Sequence, residues 1–201
     1  MRWPATLGCR IGVHLVLLLP LALLCLDLLQ GHLGADPIRA IQLRTGKYAL
    51  VLLVLSLSCT PIYMVTGFGP ILLVRRAFGL YAFLYAGLHF LNFFGLDYRF
   101  DLALIWEDAL EKRFALAGMA AFLLLAPLAV TSTAIVRRRL GRTWRLLHRL
   151  VYASALLAAA HFLWQAKADI REPLFFGAVV VFLLALRLPP VAANLRRARL
   201  L

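Results

Sequence analysis

Residues 77–96 read AFGLYAFLYAGLHFLNFFGL, bounded by Arg75 and Arg76 on one side and Asp97 on the other. The stretch carries no Asp, Glu, Lys or Arg, and it matches the ~20 residues an α-helix needs to cross a hydrocarbon core about 30 Å thick. It therefore predicts a transmembrane helix. Five further runs read the same way: 11–29, Tyr48–Thr66, Phe114–Val136, Leu150–Ala166, and one starting at Pro173 and running past Arg187, whose long stem can snorkel towards an interface. The first run follows arginines but lacks a clear small-x-small cleavage site, so it reads as a retained anchor.

The whole chain agrees with this reading. Of its 201 residues 63% are hydrophobic and 15% charged, against roughly 25% charged in a soluble domain. The mean hydropathy is +0.86. These values exclude a soluble globular enzyme, a disordered tail and a disulfide-stapled secreted module. Cys9, Cys25 and Cys59 form no CxxC pair, and Cys25 and Cys59 lie in apolar runs, so neither a disulfide framework nor a metal cage is indicated. No residue-level repeat, Gly/Ser linker or low-complexity stretch appears. The expected fold is an all-α membrane protein, a six-transmembrane-helix bundle forming one domain over residues 1–201.

The net charge of +13 would suit nucleic acid if it formed one patch. Instead the basic residues lie between membrane-length runs, where they report orientation. With six spans, one side holds Arg2, Arg10, Arg75, Arg76, Arg137, Arg138, Arg139, Arg142, Arg145, Arg149, Arg187, Arg196, Arg197 and Arg199 and no acidic residue. The other side holds every acidic residue, including Asp97, Asp101, Glu107, Asp108 and Glu111 of the third loop. The excess of Arg places both termini in the cytoplasm and the acidic loop outside. The partners implied are membrane lipid and no nucleic acid.

Five histidines carry the functional question. His32 falls in an outer loop and His14 near the start of the first run, where solvated or helix-edge roles suffice. His89 and His161 lie inside apolar runs, in AGLHFLNF and AAAHFLWQ, where an ionisable side chain is costly and marks a functional hypothesis. At 1.5 Å per residue they sit ~10 Å and ~7.5 Å from the outer ends of their runs. Two imidazoles at one height on parallel helices suit the axial ligation of one haem; histidines hydrogen-bonded between helices are the alternative. Gly79, Ala82 and Ala86 before His89, and Ser154 and Ala158 before His161, either leave room for a porphyrin or permit close helix packing. His148 is ~20 Å along the helix from His161, at the cytoplasmic edge. It suits a second haem, but the inner position opposite it is Arg75 or Arg76, not a histidine. Those two arginines suit haem propionates or an oxygen of a flavin or quinone. Thr131, Ser132 and Thr133 end the fourth run, with hydroxyls that bond back to helix carbonyls or line a polar head group. Trp144 and Trp164 flank the fifth run as interfacial residues. A small transporter or proton relay built on buried histidines is the rival function; a structural membrane anchor for an enzyme is a second.

The runs RRAFGLYAFLYAGLHF, EKRFALAGMAAFLLLAPLAVTST and RLGRTWRLLHRLVYASALLAAAHFLWQAK, with Thr60–Pro61 in LSLSCTPIY, resemble the haem-binding membrane subunits of bacterial protein-methionine-sulfoxide reductase systems. These belong to the ferric-reductase-like transmembrane group, which includes NADPH oxidases. The resemblance covers about residues 44–168, the expected haem-binding core. It implies a multi-pass b-type cytochrome of the bacterial cell inner membrane. Such a subunit passes electrons, from the quinone pool or a flavin reductase, to a periplasmic molybdopterin-containing catalytic subunit that repairs oxidised methionine in envelope proteins. It implies one haem b or two, and FMN, with His89, His148 and His161 on the family's histidine positions. The third run carries one histidine where the oxidases have two. The chain is expected to lack their cytosolic FAD and NADPH domains, to draw electrons from a separate donor, and to perform no substrate chemistry itself.

Overall fold

The computed structural model describes residues 7–198; the orientation residues Arg2 and Arg199, and the side chains of Cys9, Arg10 and Arg196, lie outside the described residues. Every regular element among them is helical: α1 (Leu7–Leu29), α2 (Pro37–Thr66), α3 (Ile71–Leu91), a π-helical turn (Asn92–Asp97), α4 (Leu102–Glu111), α5 (Arg113–Val130), α6 (Ala134–Leu147), α7 (Leu150–Gln165), α8 (Arg171–Ala185) and α9 (Pro189–Ala198). Four helices are long and apolar enough to cross a membrane, or six if each of two bent pairs is one span.

Local chemistry sets the boundaries. Asp36 caps α2 by accepting from the Arg39 N–H at 2.9 Å, and Pro37 fills its first turn, where a missing N–H costs nothing. Gly67 ends α2 in the left-handed region at φ 72° and donates to the Tyr63 carbonyl at 3.0 Å. The run expected to reach Val136 stops at Val130. Thr131 and Ser132 turn their hydroxyls back onto the Pro127 and Leu128 carbonyls, both at 2.6 Å, and Thr133 caps a new helix by accepting from the Val136 N–H at 3.3 Å. That helix, α6, carries Arg137, Arg138, Arg139, Arg142 and Arg145 exposed, where a surface loop was expected.

The last run also departs from expectation. It breaks after Ala185, and α9 leaves at 79° to α8. Pro189 and Pro190 cannot continue a helix but suit the start of one. The third run is longer at its start than expected, since Arg75 and Arg76 lie within α3 rather than in a loop.

The core lies where α2, α3, α5, α7 and α8 meet, with Leu53, Leu57, Ala82, Leu125, Ala155 and Val180 buried. Tyr85 is fully buried and its hydroxyl enters α1, donating to the Leu17 carbonyl at 2.8 Å and accepting from the Leu21 N–H at 3.1 Å. Leu21 N–H and the Leu17 carbonyl are one rung apart in α1, so the buried hydroxyl has both a donor and an acceptor there, as an apolar solvent requires. α2 pairs with α3, and α5 with α7. Small residues make this possible: Gly79 sits against Ser56 of α2, and the Ser154 hydroxyl of α7 donates to the Ala121 carbonyl of α5 at 2.9 Å. Gly79 and Ser154, two of the small residues before the histidines, thus stand at close helix contacts.

Candidate functional site

The two helix pairs bring His89 and His161 together. Their ring centroids are 5.9 Å apart with planes at 85°. Each ring sits in the same kind of seat. His89 Nδ1 donates to the Gln42 carbonyl of α2 at 2.9 Å, and His161 Nδ1 donates to the Phe114 carbonyl of α5 at 2.7 Å. The acceptor lies 47 residues before the histidine in both cases. One helical turn beyond each acceptor is a glycine. A Cβ on Gly46 would meet His89 Nδ1 at 2.8 Å, and one on Gly118 would meet His161 Nδ1 at 2.7 Å. Only a residue without a side chain lets each imidazole lie against its partner helix.

These seats fit an axially ligated macrocycle. A carbonyl that accepts from Nδ1 fixes the tautomer and leaves Nε2 with its lone pair, the arrangement found for ligating histidines. Both seats do so, and the two rings stand edge to face beside each other. The second seat repeats the first at one constant offset along the chain: His161 to His89, Gly118 to Gly46, Phe114 to Gln42. The side chains shared at this offset are few and scattered, His89-Phe90-Leu91 with His161-Phe162-Leu163 the longest run, so the duplication is faint as a residue-level repeat; the carbonyl can come from any residue.

The seats differ in one respect. His89 Nε2 accepts from the Gln42 side-chain amide at 3.2 Å. Gln42 Oε1 in turn accepts from Asn92 Nδ2 at 2.6 Å. Asn92 opens the π-helical turn and is buried. Such a turn inside a helix is frequent at functional sites.

The structure does not bring His148 to this pair. It caps the end of α6 at the 50° bend before α7. Its Nε2 lies 3.2 Å from the Thr131 hydroxyl, and Trp144 stacks on it at 3.9 Å between centroids. Trp144 also donates to the Thr131 carbonyl at 3.0 Å. Trp144 is thus a packing partner of His148, and the Thr131 hydroxyl bonds back to the Pro127 carbonyl and also meets His148. Trp164 is exposed, as expected.

Around His148 positive charge gathers. Arg75 acts electrostatically on both His148 and Arg187, and donates to Thr60 Oγ1 at 3.2 Å. Arg76 is exposed beside it. Arg187, expected to snorkel outward, turns inward instead. It donates to the Leu57 carbonyl and to Tyr152 Oη at 3.3 Å, with its guanidinium 5.3 Å from the Tyr152 ring centre. Its Nε is buried without a partner. None of the three ion pairs among the described residues involves Arg75, Arg76 or Arg187. A groove on the surface nearby is lined by Arg142, Arg145, Leu146 and Arg149. This end can hold an anion or a polarised oxygen.

At the other end, α4 is tied down beside the π-helical turn. Tyr98 and Lys112 both donate to the Asp108 carboxylate. The Lys112 ammonium, and then the Tyr98 hydroxyl, hold that carboxyl below the usual range. Asp108 in turn pushes the Lys112 ammonium up, while burial and then Asp108 push the Tyr98 phenol up.

Sequence reasoning missed Gln42, Gly46, Asn92, Gly118 and the inward Arg187. The pairs Gly46–His89 and Gly118–His161, equally spaced, were the available signal.

The model of the ferric-reductase-like transmembrane component matches residues 45–159, a stretch holding Gly46, His89, Gly118 and His148; His161 lies just beyond it. The chain is 44% identical over 191 residues to the protein-methionine-sulfoxide reductase heme-binding subunit of Rhodospirillum rubrum, covering 94% of this chain and 92% of that protein. It is 43% identical over 181 residues to the subunit of the same name in Xanthomonas axonopodis pv. citri, covering 87% and 83%.

Proposed function

The chain belongs to the ferric-reductase-like transmembrane family and, within it, to the protein-methionine-sulfoxide reductase heme-binding subunits, and from that premise we propose that it is a b-type cytochrome passing electrons across the bacterial inner membrane to a periplasmic molybdopterin-containing catalytic subunit. The observation that carries this reading is the pair of matched seats for His89 and His161.

In this reading His89 and His161 would hold haem b, which would supply one-electron chemistry whose potential the protein tunes through burial and polarity. The Gln42 and Phe114 carbonyls orient the two imidazoles and keep the proton on Nδ1. Burial among α2, α3, α5 and α7 keeps water from the site. His148, Arg75 and Arg76 form the inner, electron-entry end, where the positive charge favours propionates, a reduced quinone or a flavin such as the FMN implied by the resemblance. A second haem there would use His148 and a ligand other than histidine on α3. The donor is the quinone pool or a flavin reductase. The catalytic subunit, not this chain, reduces methionine sulfoxide. Six spans, counting each bent pair as one, with both termini cytoplasmic put His89 and His161 towards the periplasmic partner and the core at about residues 44–168.

One observation favours the rival, a relay of hydrogen-bonded histidines: the Gln42 amide occupies His89 Nε2. Purification after expression with ample haem separates the two. A Soret band with sharp reduced α and β bands, and iron in stoichiometric amount, supports the cytochrome. A colourless protein sinks it and leaves the proton relay or a structural membrane anchor.

A further inference from the structure

Gln42 holds His89 at both ring nitrogens. Its backbone carbonyl takes the Nδ1 proton at 2.9 Å, and its side-chain amide donates to Nε2 at 3.2 Å. The second contact covers the atom that a metal centre would need. At the matching position of the other seat stands Phe114, whose side chain offers no donor. The two seats therefore differ in how readily their coordinating nitrogens are reached.

The amide of Gln42 is itself held. Asn92 Nδ2 donates to Gln42 Oε1 at 2.6 Å and to the Ile38 carbonyl at 3.2 Å. Asn92 is only 4% exposed. Its Oδ1 is fully buried and has no hydrogen-bond partner. A buried amide oxygen left unpaired is costly and asks for an explanation. It belongs to the side chain already bonded to Gln42.

We propose that Gln42 is a displaceable guard on the coordinating nitrogen of His89, and that the unpaired Asn92 oxygen is the acceptor to which its amide moves when a metal centre takes that nitrogen. The inference rests on the proposed haem ligation by His89. When Nε2 is coordinated, the Gln42 N–H loses its acceptor. Rotation of the amide lets that N–H donate to Asn92 Oδ1 while Oε1 keeps the Asn92 N–H. The two amides then share a pair of antiparallel hydrogen bonds. The guarded state leaves one buried acceptor unmet; the ligated state leaves none. Gln42 and Asn92 are positioning residues in this exchange. They ensure that opening His89 strands no polar group in the membrane interior, where an unpaired group is hard to satisfy.

The test is haem uptake by the full-length apoprotein in detergent, followed by stopped-flow at the Soret band and by equilibrium titration. Gln42→Leu removes the guard but keeps the carbonyl that seats His89. It should take up haem roughly tenfold faster, the worth of about one hydrogen bond. Asn92→Leu leaves the displaced amide without an acceptor, so haem should bind roughly tenfold more weakly by the same measure. In the double variant Gln42→Leu/Asn92→Leu that weakening should vanish, because no amide remains to be stranded. Should Asn92→Leu not fold, Asn92→Ala completes the same cycle. Wild-type uptake in Gln42→Leu, or a weakening by the Asn92 change that persists without Gln42, overturns the proposal and leaves the haem reading standing. An apoprotein in which neither wild type nor any variant yields a Soret band overturns the haem reading, and this exchange with it.

Discussion

A Cβ on Gly118 would lie 2.7 Å from Nδ1 of His161, too close for a carbon against a ring nitrogen without one of them shifting. Gly118→Ala should therefore push the imidazole off the Phe114 carbonyl, and Gly46→Ala should do the same to His89, where the corresponding distance is 2.8 Å. Overpacking of this kind costs about 1–3 kcal/mol. Both variants should show a weakened or altered low-spin haem spectrum. Gly87→Ala is the control: its Cβ would meet Phe122 at 3.9 Å, an ordinary contact, and its spectrum should match wild type. Equal spectra in all three variants would remove the role assigned to the glycine seats.

On the proposed haem-holding role of His89 and His161, His89→Ala or His161→Ala should each abolish a low-spin haem spectrum. Electron delivery to the periplasmic partner should stop in both. A full wild-type spectrum and activity in either variant would mean these two residues are not the ligand pair.

His148 stands at the bend between α6 and α7, ~20 Å along the helix from His161. His148→Ala should leave the outer haem in place and slow its reduction by the physiological donor more than its re-oxidation by the partner. Stopped-flow traces with normal reduction would deny His148 an electron-entry role. Loss of half the bound haem would instead favour two haems.

All nine acidic residues of the chain fall on one side of the proposed topology. Reporter fusions after Arg139 and at the C-terminus should read cytoplasmic, and a fusion within 101–111 periplasmic. A cytoplasmic signal from α4 would overturn the orientation, and with it the assignment of outer and inner ends.

The tie between α4 and the π-helical turn should depend on pH at both extremes. The Asp108 carboxyl is depressed, chiefly by Lys112, so its contribution is present above the ordinary carboxylate range and lost as pH falls through its lowered value. Lys112 is raised, chiefly by Asp108, and Tyr98 is raised by burial and Asp108. Their contributions are present below their ordinary values and lost as pH rises through the raised ones. Amide protection across 102–111, taken relative to the intrinsic exchange rate at each pH, should hold between these limits and fall in acid and in strong alkali. Asp108→Asn should lower it at neutral pH; an unchanged protection pattern would show that the triad does not hold α4.

Much of this was legible in the chain itself. Residues 77–96 declare a span because run length and the absence of charge are local properties, and a bilayer imposes a fixed thickness on them. His89 and His161 stand out for the same reason: an imidazole within an apolar run is visible without knowing its neighbours. The helix ends at Val130 and Ala185 were less legible, since hydroxyls at Thr131 and Ser132 and the proline pair at 189–190 override apolar runs that continue past them.

The sequence by itself determined a basic, sided, multi-helix membrane chain and nominated its histidines, because hydropathy and charge act wherever a residue lies. Depth along the chain already pairs His89 with His161; only the tertiary structure decided that Gly46 and Gly118 seat those rings against the partner helices, and that the Gln42 amide, held by Asn92, meets His89 Nε2. It also decided that Arg187 turns inward to a carbonyl 130 residues away. These are contacts of a few ångströms between side chains far apart in the chain, and hydrogen bonds and close packing act only at that range; which distant groups come within it is set by how the helices pack.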